Sequence, residues 1–172
     1  MIICFNIHRW RIFNQSERRW EHFCAGRCRQ IRGHQRIVKT VADRYDRIDI
    51  VVCSAGIYNP LYALDDETYD CAHIDHYIDV NLKGSIYAVK TCLPYLKKSS
   101  AGRVILISSI TGPHTGFDES SLYGATKSGQ VSFYFWISFL VLWYQSIFSR
   151  WSRFSLRITI QQAKWPHTGF DG

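Results

Sequence analysis

Two short apolar tracts, separated by a long helical stretch, constrain the fold more than any other feature of this sequence. The first tract, Ile48–Cys53, and the second, Arg103–Ser109, have nearly continuous apolar side chains, which is typical of strands buried on both faces of a parallel sheet. The chain from about Asp66 to Leu96 predicts a helical crossover of the length that parallel strands require. Strand, crossover helix and strand make a right-handed βαβ unit, so the sequence predicts an α/β fold.

Two more helices are predicted around this unit. A short amphipathic helix precedes the first tract, and we expect ordered structure to begin with it, near Ile37. Another helix starts near Ser121 and enters a run of 14 mostly aromatic and aliphatic residues, 131–144. A membrane span needs about 20 such residues, so a buried helix or a subunit interface is favoured and a membrane span is the alternative.

The charge of the chain is divided unevenly along it. The 172 residues suffice for one domain, and the formal charge is +7. Residues 37–127 carry nine basic and eleven acidic side chains, so the excess of basic residues lies entirely in the two ends, as do all six tryptophans. We therefore predict three segments: a basic arm of uncertain order (1–36), a Rossmann-like core (37–131), and an aromatic helix with a basic tail (132–172). The arginines of the arm leave a nucleic-acid or membrane-surface binder open as an alternative, although we predict no nucleic-acid partner.

One hexapeptide occurs twice. Pro113–Asp118 and Pro166–Asp171 are both Pro-His-Thr-Gly-Phe-Asp, 53 positions apart. Two copies do not make a solenoid, which needs three or more. The repeat indicates a duplicated or rearranged coding segment.

The six cysteines are scattered, and no secretory signal is recognisable before them. Free thiols in a reducing compartment are therefore expected, which favours a cytoplasmic location. Cys24 and Cys28, with His22 and His34 nearby, fit the spacing of structural zinc sites poorly, so we predict no metal.

Four polar residues of the middle segment could carry chemistry. Tyr123 and Lys127 are four positions apart and share one face of a helix. A nearby ammonium favours the phenolate, which makes a tyrosine a better acid or base at neutral pH. Ser109 ends the second predicted strand, at the edge where open parallel sheets bind ligands, and Asn81 lies in the crossover helix and could anchor a water.

These residues belong to four segments that occur in a characteristic order. The segments are Ile48–Gly56, Asn81–Gly84, Ile107–Ser109 and Tyr123–Lys127. In order and approximate spacing they resemble the short-chain dehydrogenase/reductase family, over about residues 36–131. The resemblance implies a Rossmann-type, doubly wound parallel sheet, NAD or NADP as the hydride carrier, and a small-molecule secondary alcohol or ketone as the substrate. It also implies a homo-oligomer without a membrane association.

The resemblance also implies site residues. Tyr123 would be the general acid/base, Ser109 would orient the carbonyl or alcohol, and Lys127 would hold the nicotinamide ribose and lower the tyrosine pKa. Asn81 would support a proton-relay water. Candidate cofactor-binding residues are Ser54, Ala55, Gly56, Asn81, Tyr123 and Lys127.

The chain departs from the family pattern at its beginning and its end. The family has Asn-Asn-Ala-Gly after the strand that precedes the crossover helix, whereas this chain has Cys53-Ser54-Ala55-Gly56. The glycine-rich turn expected after a first strand is missing, because only Gly26 and Gly33 precede Cys53. We therefore expect an incomplete sheet, with the first βαβ unit and the C-terminal strands missing or unrecognisable. A non-catalytic remnant or interaction protein from a truncated or frame-altered gene remains the alternative to an enzyme.

Overall fold

The computed structural model describes residues 1–5, 10–14, 19–23, 30–58, 70–112, 114, 121–147 and 157–160. Within them the chain forms a six-stranded sheet in the order β3-β2-β1-β4-β5-β6. The strands are β1 (Ile2–Phe5), β2 (Trp10–Asn14), β3 (Arg19–Phe23), β4 (Ile50–Cys53), β5 (Arg103–Leu106) and β6 (Arg157–Ile160). β1, β4, β5 and β6 are parallel neighbours, and β2 runs antiparallel to both β1 and β3.

The helices are α1 (Ile31–Tyr45), α2 (Cys71–Tyr77), α3 (Gly84–Leu96) and α4 (Ser121–Ile147), and a π-helical turn (Ile78–Lys83) joins α2 to α3. Capping hydrogen bonds fix the start of α2 and the end of α1. Asp70 caps α2, because its Oδ1 accepts a hydrogen bond from the His73 backbone N–H at 3.0 Å. α1 ends at Asp46, whose left-handed φ of 54° turns its N–H back to the Ala42 carbonyl at 2.8 Å.

The apolar core lies between the central strands and the helices α1 and α3. In each of β1, β4 and β5 every second residue is buried. Those side chains pack with apolar residues of the two helices; the buried members include Ile3, Phe5, Val51, Val104, Leu106, Val38, Val41, Ala88 and Leu96. The alternation follows from the two-residue period of a strand.

The fold class expected from the sequence is confirmed: the chain is an α/β protein with an incomplete, Rossmann-like parallel sheet. Both predicted strands exist, although each is shorter than its apolar tract, and the predicted crossover is helical over its described residues. The expected start of order near Ile37 was wrong. α1 begins at Ile31, and β1 already pairs with β4 in the middle of the sheet, Ile3 beside Val51.

The first and last parallel strands were not recognisable from the sequence. β1 has only four residues and stands beside a basic, tryptophan-containing segment. β6 is equally short and lies in the basic tail, where it pairs with β5. The division of the chain into arm, core and tail therefore stays a prediction, although both flanks contribute a strand to the sheet.

The connection after β1 is unusual for a parallel sheet. β1 ends at Phe5, and β2 begins at Trp10 and runs back antiparallel beside it. Four residues are too few for a crossover helix, which takes a dozen or more. The chain therefore goes from its first strand directly into an antiparallel pair.

Some residues that the sequence analysis singled out lie outside the described part of the chain. They are Cys24, Cys28, all of the first hexapeptide except His114, and the whole second hexapeptide. Of the run 131–144, Phe133, Tyr134 and Ile137 pack against the core, whereas Phe135 and Trp136 are exposed in the single chain. The helix is therefore only partly buried within the chain, and the alternative of a subunit interface stays a prediction. No helix in the described part of the chain has the length and apolarity that a membrane span requires.

Candidate active site

The π-helical turn places Asn81 at the centre of the candidate site. A π-helix is wider than an α-helix, and such turns are frequent at functional sites. Asn81 is completely buried. Its Oδ1 accepts from the Ile57 N–H at 2.8 Å and its Nδ2 donates to the Ile57 carbonyl at 3.0 Å, so the side chain fixes the segment after β4. A third bond, from Nδ2 to Thr126 Oγ1 at 3.1 Å, connects the turn to α4.

Lys127 is buried on α4, facing the same region. Its side-chain Nζ donates to the Ile107 carbonyl at 2.9 Å and to Gln130 Oε1 at 3.2 Å. Burial lowers the pKa of Lys127 to about 8, because desolvation disfavours the ammonium. Gly56 makes this position possible, since a Cβ there would lie 3.2 Å from Nζ.

Tyr123 lies one turn before Lys127, as their spacing predicts. Its side chain is buried, and Lys127 Nζ is 5.7 Å from the centre of its ring. The ring of Tyr58 packs against it with centroids 4.9 Å apart. A phenol, an ammonium and a second aromatic ring thus share one cluster.

The segment that carries Ser109 crosses α4 at the level of this cluster. Ser109 is buried beyond the end of β5, and its Oγ accepts from the Thr111 N–H at 3.1 Å. The crossing is close at Gly112, which has a φ of +102° and whose Cβ, if present, would lie 2.2 Å from the Gly124 carbonyl oxygen. The preceding residue, Ser108, donates through Oγ to the Lys127 carbonyl at 3.1 Å. These contacts bring the Ser109 segment to the helix turn that begins with Tyr123.

The candidate cofactor residues after β4 join the site to β1. Ser54 donates to the Phe5 carbonyl through its N–H at 2.9 Å and through Oγ at 3.1 Å. Ala55 is buried, and Gly56 faces Lys127 and Asn81. Cys53, which stands where the family has its first asparagine, is buried in the apolar core.

Sequence reasoning missed Tyr58 and Thr126, described above, and two further residues that hold this cluster. Gln130 is completely buried and bonds Lys127, Ser85 and the Asn81 carbonyl, and Ser108 holds the backbone of α4. Gln130 lies three positions after Lys127, so a polar residue on the inward face of the helix was the available signal. Nothing in the sequence distinguishes Ser108 from its neighbour Ser109.

The carboxyl end of β1 lies on the same sheet edge as the ends of β4 and β5, but the segment that follows it differs from theirs. Residues 6–25 contain no glycine, and the antiparallel β2 follows after four residues. A dinucleotide's pyrophosphate is ordinarily held by a glycine-rich turn and the N-terminus of the helix that follows it. The described residues therefore fit the nicotinamide-ribose end of such a cofactor, and the segment after β1 has neither the glycine-rich turn nor the following helix that would hold the pyrophosphate.

The sequence matches a family model. The model described as short chain dehydrogenase matches residues 12–138 of the 172. An uncharacterized oxidoreductase of Staphylococcus epidermidis is 38% identical over 92 residues, which cover 54% of this chain and 38% of that protein. The peroxisomal multifunctional enzyme type 2 of Mus musculus is 33% identical over 97 residues, covering 55% of this chain and 12% of that protein. The match thus spans well under half of the length of either relative.

The fold of the chain is also similar to those of solved structures. ElxO with NADP bound superposes with a TM-score of 0.56 at 28% identity, covering 62% of this chain and 42% of that one. A metagenomic short-chain oxidoreductase in complex with NADP reaches a TM-score of 0.66 at 21% identity, covering 79% of this chain and 56% of that one. The second likeness concerns the fold alone.

Proposed function

The chain belongs to the short-chain dehydrogenase family, and from this membership we propose that it is an oxidoreductase that moves a hydride between NAD or NADP and a secondary alcohol or ketone. The observation that carries the proposal is the buried cluster of Tyr123, Lys127 and Asn81 at the sheet edge where ligands bind in open parallel sheets. The Staphylococcus epidermidis relative, which is named an oxidoreductase, supports the reaction class.

Each residue of the cluster has a proposed role. Tyr123 exchanges the proton with the substrate oxygen, and the Lys127 ammonium beneath its ring stabilises the phenolate. Ser109, buried beyond β5, orients the substrate oxygen by a hydrogen bond. Asn81 fixes the segment after β4 through Ile57, and its carbonyl faces the groups that position Lys127.

The nicotinamide end of the cofactor fits the chain best. Gly56 leaves room beside Lys127 Nζ, which could donate to the ribose hydroxyls, and Ser54 and Ala55 form the backbone next to it. NAD or NADP would supply or accept the hydride. The neighbour ElxO, which has NADP bound, supports this cofactor class.

The remaining parts of the proposal follow the family. The substrate is a small alcohol or ketone, and the chain is expected to form a homo-oligomer. A cytoplasmic location is part of the proposal, because the scattered cysteines of the sequence favour a reducing compartment.

A second candidate function is a non-catalytic interaction protein. The specific observation in its favour is the four-residue connection between β1 and β2, which replaces a crossover helix. A chain built in this way keeps the candidate catalytic cluster, but in its described residues no helix directly follows β1, where family members hold the cofactor phosphates.

A turnover assay decides between the two candidates. The full chain is incubated with millimolar NADH or NADPH and a panel of small ketones, and the chiral alcohol is quantified together with cofactor oxidation. Stoichiometric formation of alcohol supports the oxidoreductase. Absence of product from the whole panel, with a folded chain, supports the non-catalytic protein.

A further inference from the structure

Gln130 forms a bridge inside the catalytic cluster. Its Oε1 accepts from Lys127 Nζ at 3.2 Å, while its Nε2 donates to the Asn81 carbonyl at 2.7 Å and to Ser85 Oγ at 2.7 Å. The residue is completely buried. Its side-chain amide therefore occupies the space between the ammonium and the π-helical turn.

The orientation of this amide is fixed by its partners. An ammonium can only donate and a carbonyl can only accept, so Oε1 must face Lys127 and Nε2 must face Asn81. Both Nε2 hydrogens are used, and Ser85 Oγ in turn donates to the Asn81 carbonyl at 3.2 Å. A flipped amide would bring like groups together at both ends, which makes the bridge directional.

The bridge ends on the π-helical turn. Asn81 lies within Ile78–Lys83, where a ladder bond skips to the fifth residue, as Gly84 N–H does to the Asp79 carbonyl. The Asn81 carbonyl accepts from two side chains, those of Gln130 and Ser85. The turn thus supplies the backbone acceptor to which Gln130 connects the Lys127 ammonium.

We propose that Gln130 is a positioning residue of this site, which holds the Lys127 ammonium beneath the Tyr123 ring by connecting it to the Asn81 carbonyl. The proposal rests on the proposed function only for its effect on turnover. A side-chain amide accepts and donates hydrogen bonds but does not exchange protons as a water does. Gln130 therefore fixes the ammonium in place and does not relay protons from it to the π-helical turn.

The groups that surround the Lys127 ammonium determine its pKa, which a titration can measure. The titratable ones among the described residues are Tyr123 on α4 and Cys53 on β4, and the hydrogen-bond acceptors are the Ile107 carbonyl and Gln130 Oε1. Removing one acceptor from a buried ammonium destabilises its charged form. The titration of Lys127 therefore reports directly on the bridge.

The experiment is an NMR titration of the lysine ¹³Cε signals in the full chain, with the Lys127 signal assigned by its loss in Lys127→Met. Gln130→Met keeps the volume and removes the acceptor, so the Lys127 midpoint should fall by about one pH unit or more. Gln130→Glu keeps an acceptor oxygen, so its midpoint should lie at or above that of the parent. Ser85→Ala is the matched control, because it removes a partner of Nε2 and leaves Oε1 in place.

The outcomes are distinct. An unchanged midpoint in Gln130→Met, or a fall of equal size in Ser85→Ala, overturns the proposal. If Gln130→Met does not fold, Gln130→Glu decides alone: a midpoint below the parent's overturns the bridge, and one at or above it supports the bridge. The titration needs no cofactor and no turnover, so an inactive parent chain would contradict the proposed function and leave this test readable.

Discussion

The carboxyl ends of β1 and of β4 and β5 lie on one sheet edge, yet the chain continues from them in different ways. After β4 and β5 the segments are tied to α4 and the π-helical turn by hydrogen bonds in which Asn81 accepts and Ser108 and Lys127 donate. After β1, four residues lead to an antiparallel strand. The candidate proton-transfer residues thus involve the segments after β4 and β5, whereas the segment after β1, where a dinucleotide's phosphates are ordinarily held, leads into an antiparallel strand and not into a helix.

The largest expected effect tests the candidate catalytic residues beside the segments after β4 and β5. Tyr123→Phe keeps the packing of the ring and removes the proton donor, so kcat should fall by about 10²–10⁴, the usual contribution of positioned acid–base catalysis. Tyr134→Phe is the matched control, because it removes a phenol from the same helix at a position that packs against the core. Equal rates for Tyr123→Phe and the parent would show that the chemistry is assigned to the wrong residue.

The next effect concerns how the Ser109 segment is held against α4. Gly112→Ala should lower the free energy of unfolding by about 3 kcal/mol, because it combines a strained φ of +102° with a Cβ placed 2.2 Å from the Gly124 carbonyl oxygen. Gly129→Ala meets only the flexible side chain of Leu82, at 3.2 Å, and should be close to neutral. Urea unfolding of the two variants checks this. Similar losses from both would mean that the crossing at Gly112 is not closely packed.

A further effect concerns the cost of burying Lys127. Its pKa is lowered from 10.5 to about 8, so between these values the unfolded chain binds more protons than the folded one. The free energy of unfolding should therefore rise with pH across this window, by at most about 3 kcal/mol, and the penalty should be fully present below pH 8. Urea unfolding from pH 7 to 10.5 should show this rise in the parent and in Lys90→Met, an exposed lysine of α3, but not in Lys127→Met. A rise of equal size in Lys127→Met would contradict the burial of that charge.

The strands β4 and β5 and the pair Tyr123 and Lys127 could be predicted from the sequence because the patterns that indicate them are local. β4 and β5 are contained in continuous apolar tracts, and the spacing of Tyr123 and Lys127 places them on one helix face whatever surrounds them. Asn81 and Ser109 were identified by the order of the segments that contain them. Their placement as catalytic residues remains a prediction that the assays above would test.

The remaining features depend on contacts between distant parts of the chain. The π-helical turn coincides with Asn81, whose side chain is bound by Ile57, 24 positions earlier, and Gln130 has partners 45 and 49 positions away. No local pattern encodes such pairs. β1 was missed for a related reason, since four apolar residues become a strand only by pairing with β4.

The comparison between the two parts of the sheet edge is tested most directly by the chain's affinity for a whole cofactor and for half of one. Fluorescence titrations would measure the Kd of NADH and of reduced nicotinamide mononucleotide, which lacks the adenosine phosphate half, with Lys127→Met as a control for binding at the catalytic cluster. With no glycine-rich turn and helix after β1 to hold the phosphates, NADH should bind no more than about tenfold more tightly than the mononucleotide, because each charge-assisted phosphate bond contributes about 1.5–3 kcal/mol. An NADH affinity about a hundredfold or more above that of the mononucleotide would contradict the account, since it would show that the chain binds the adenosine phosphate half by other residues.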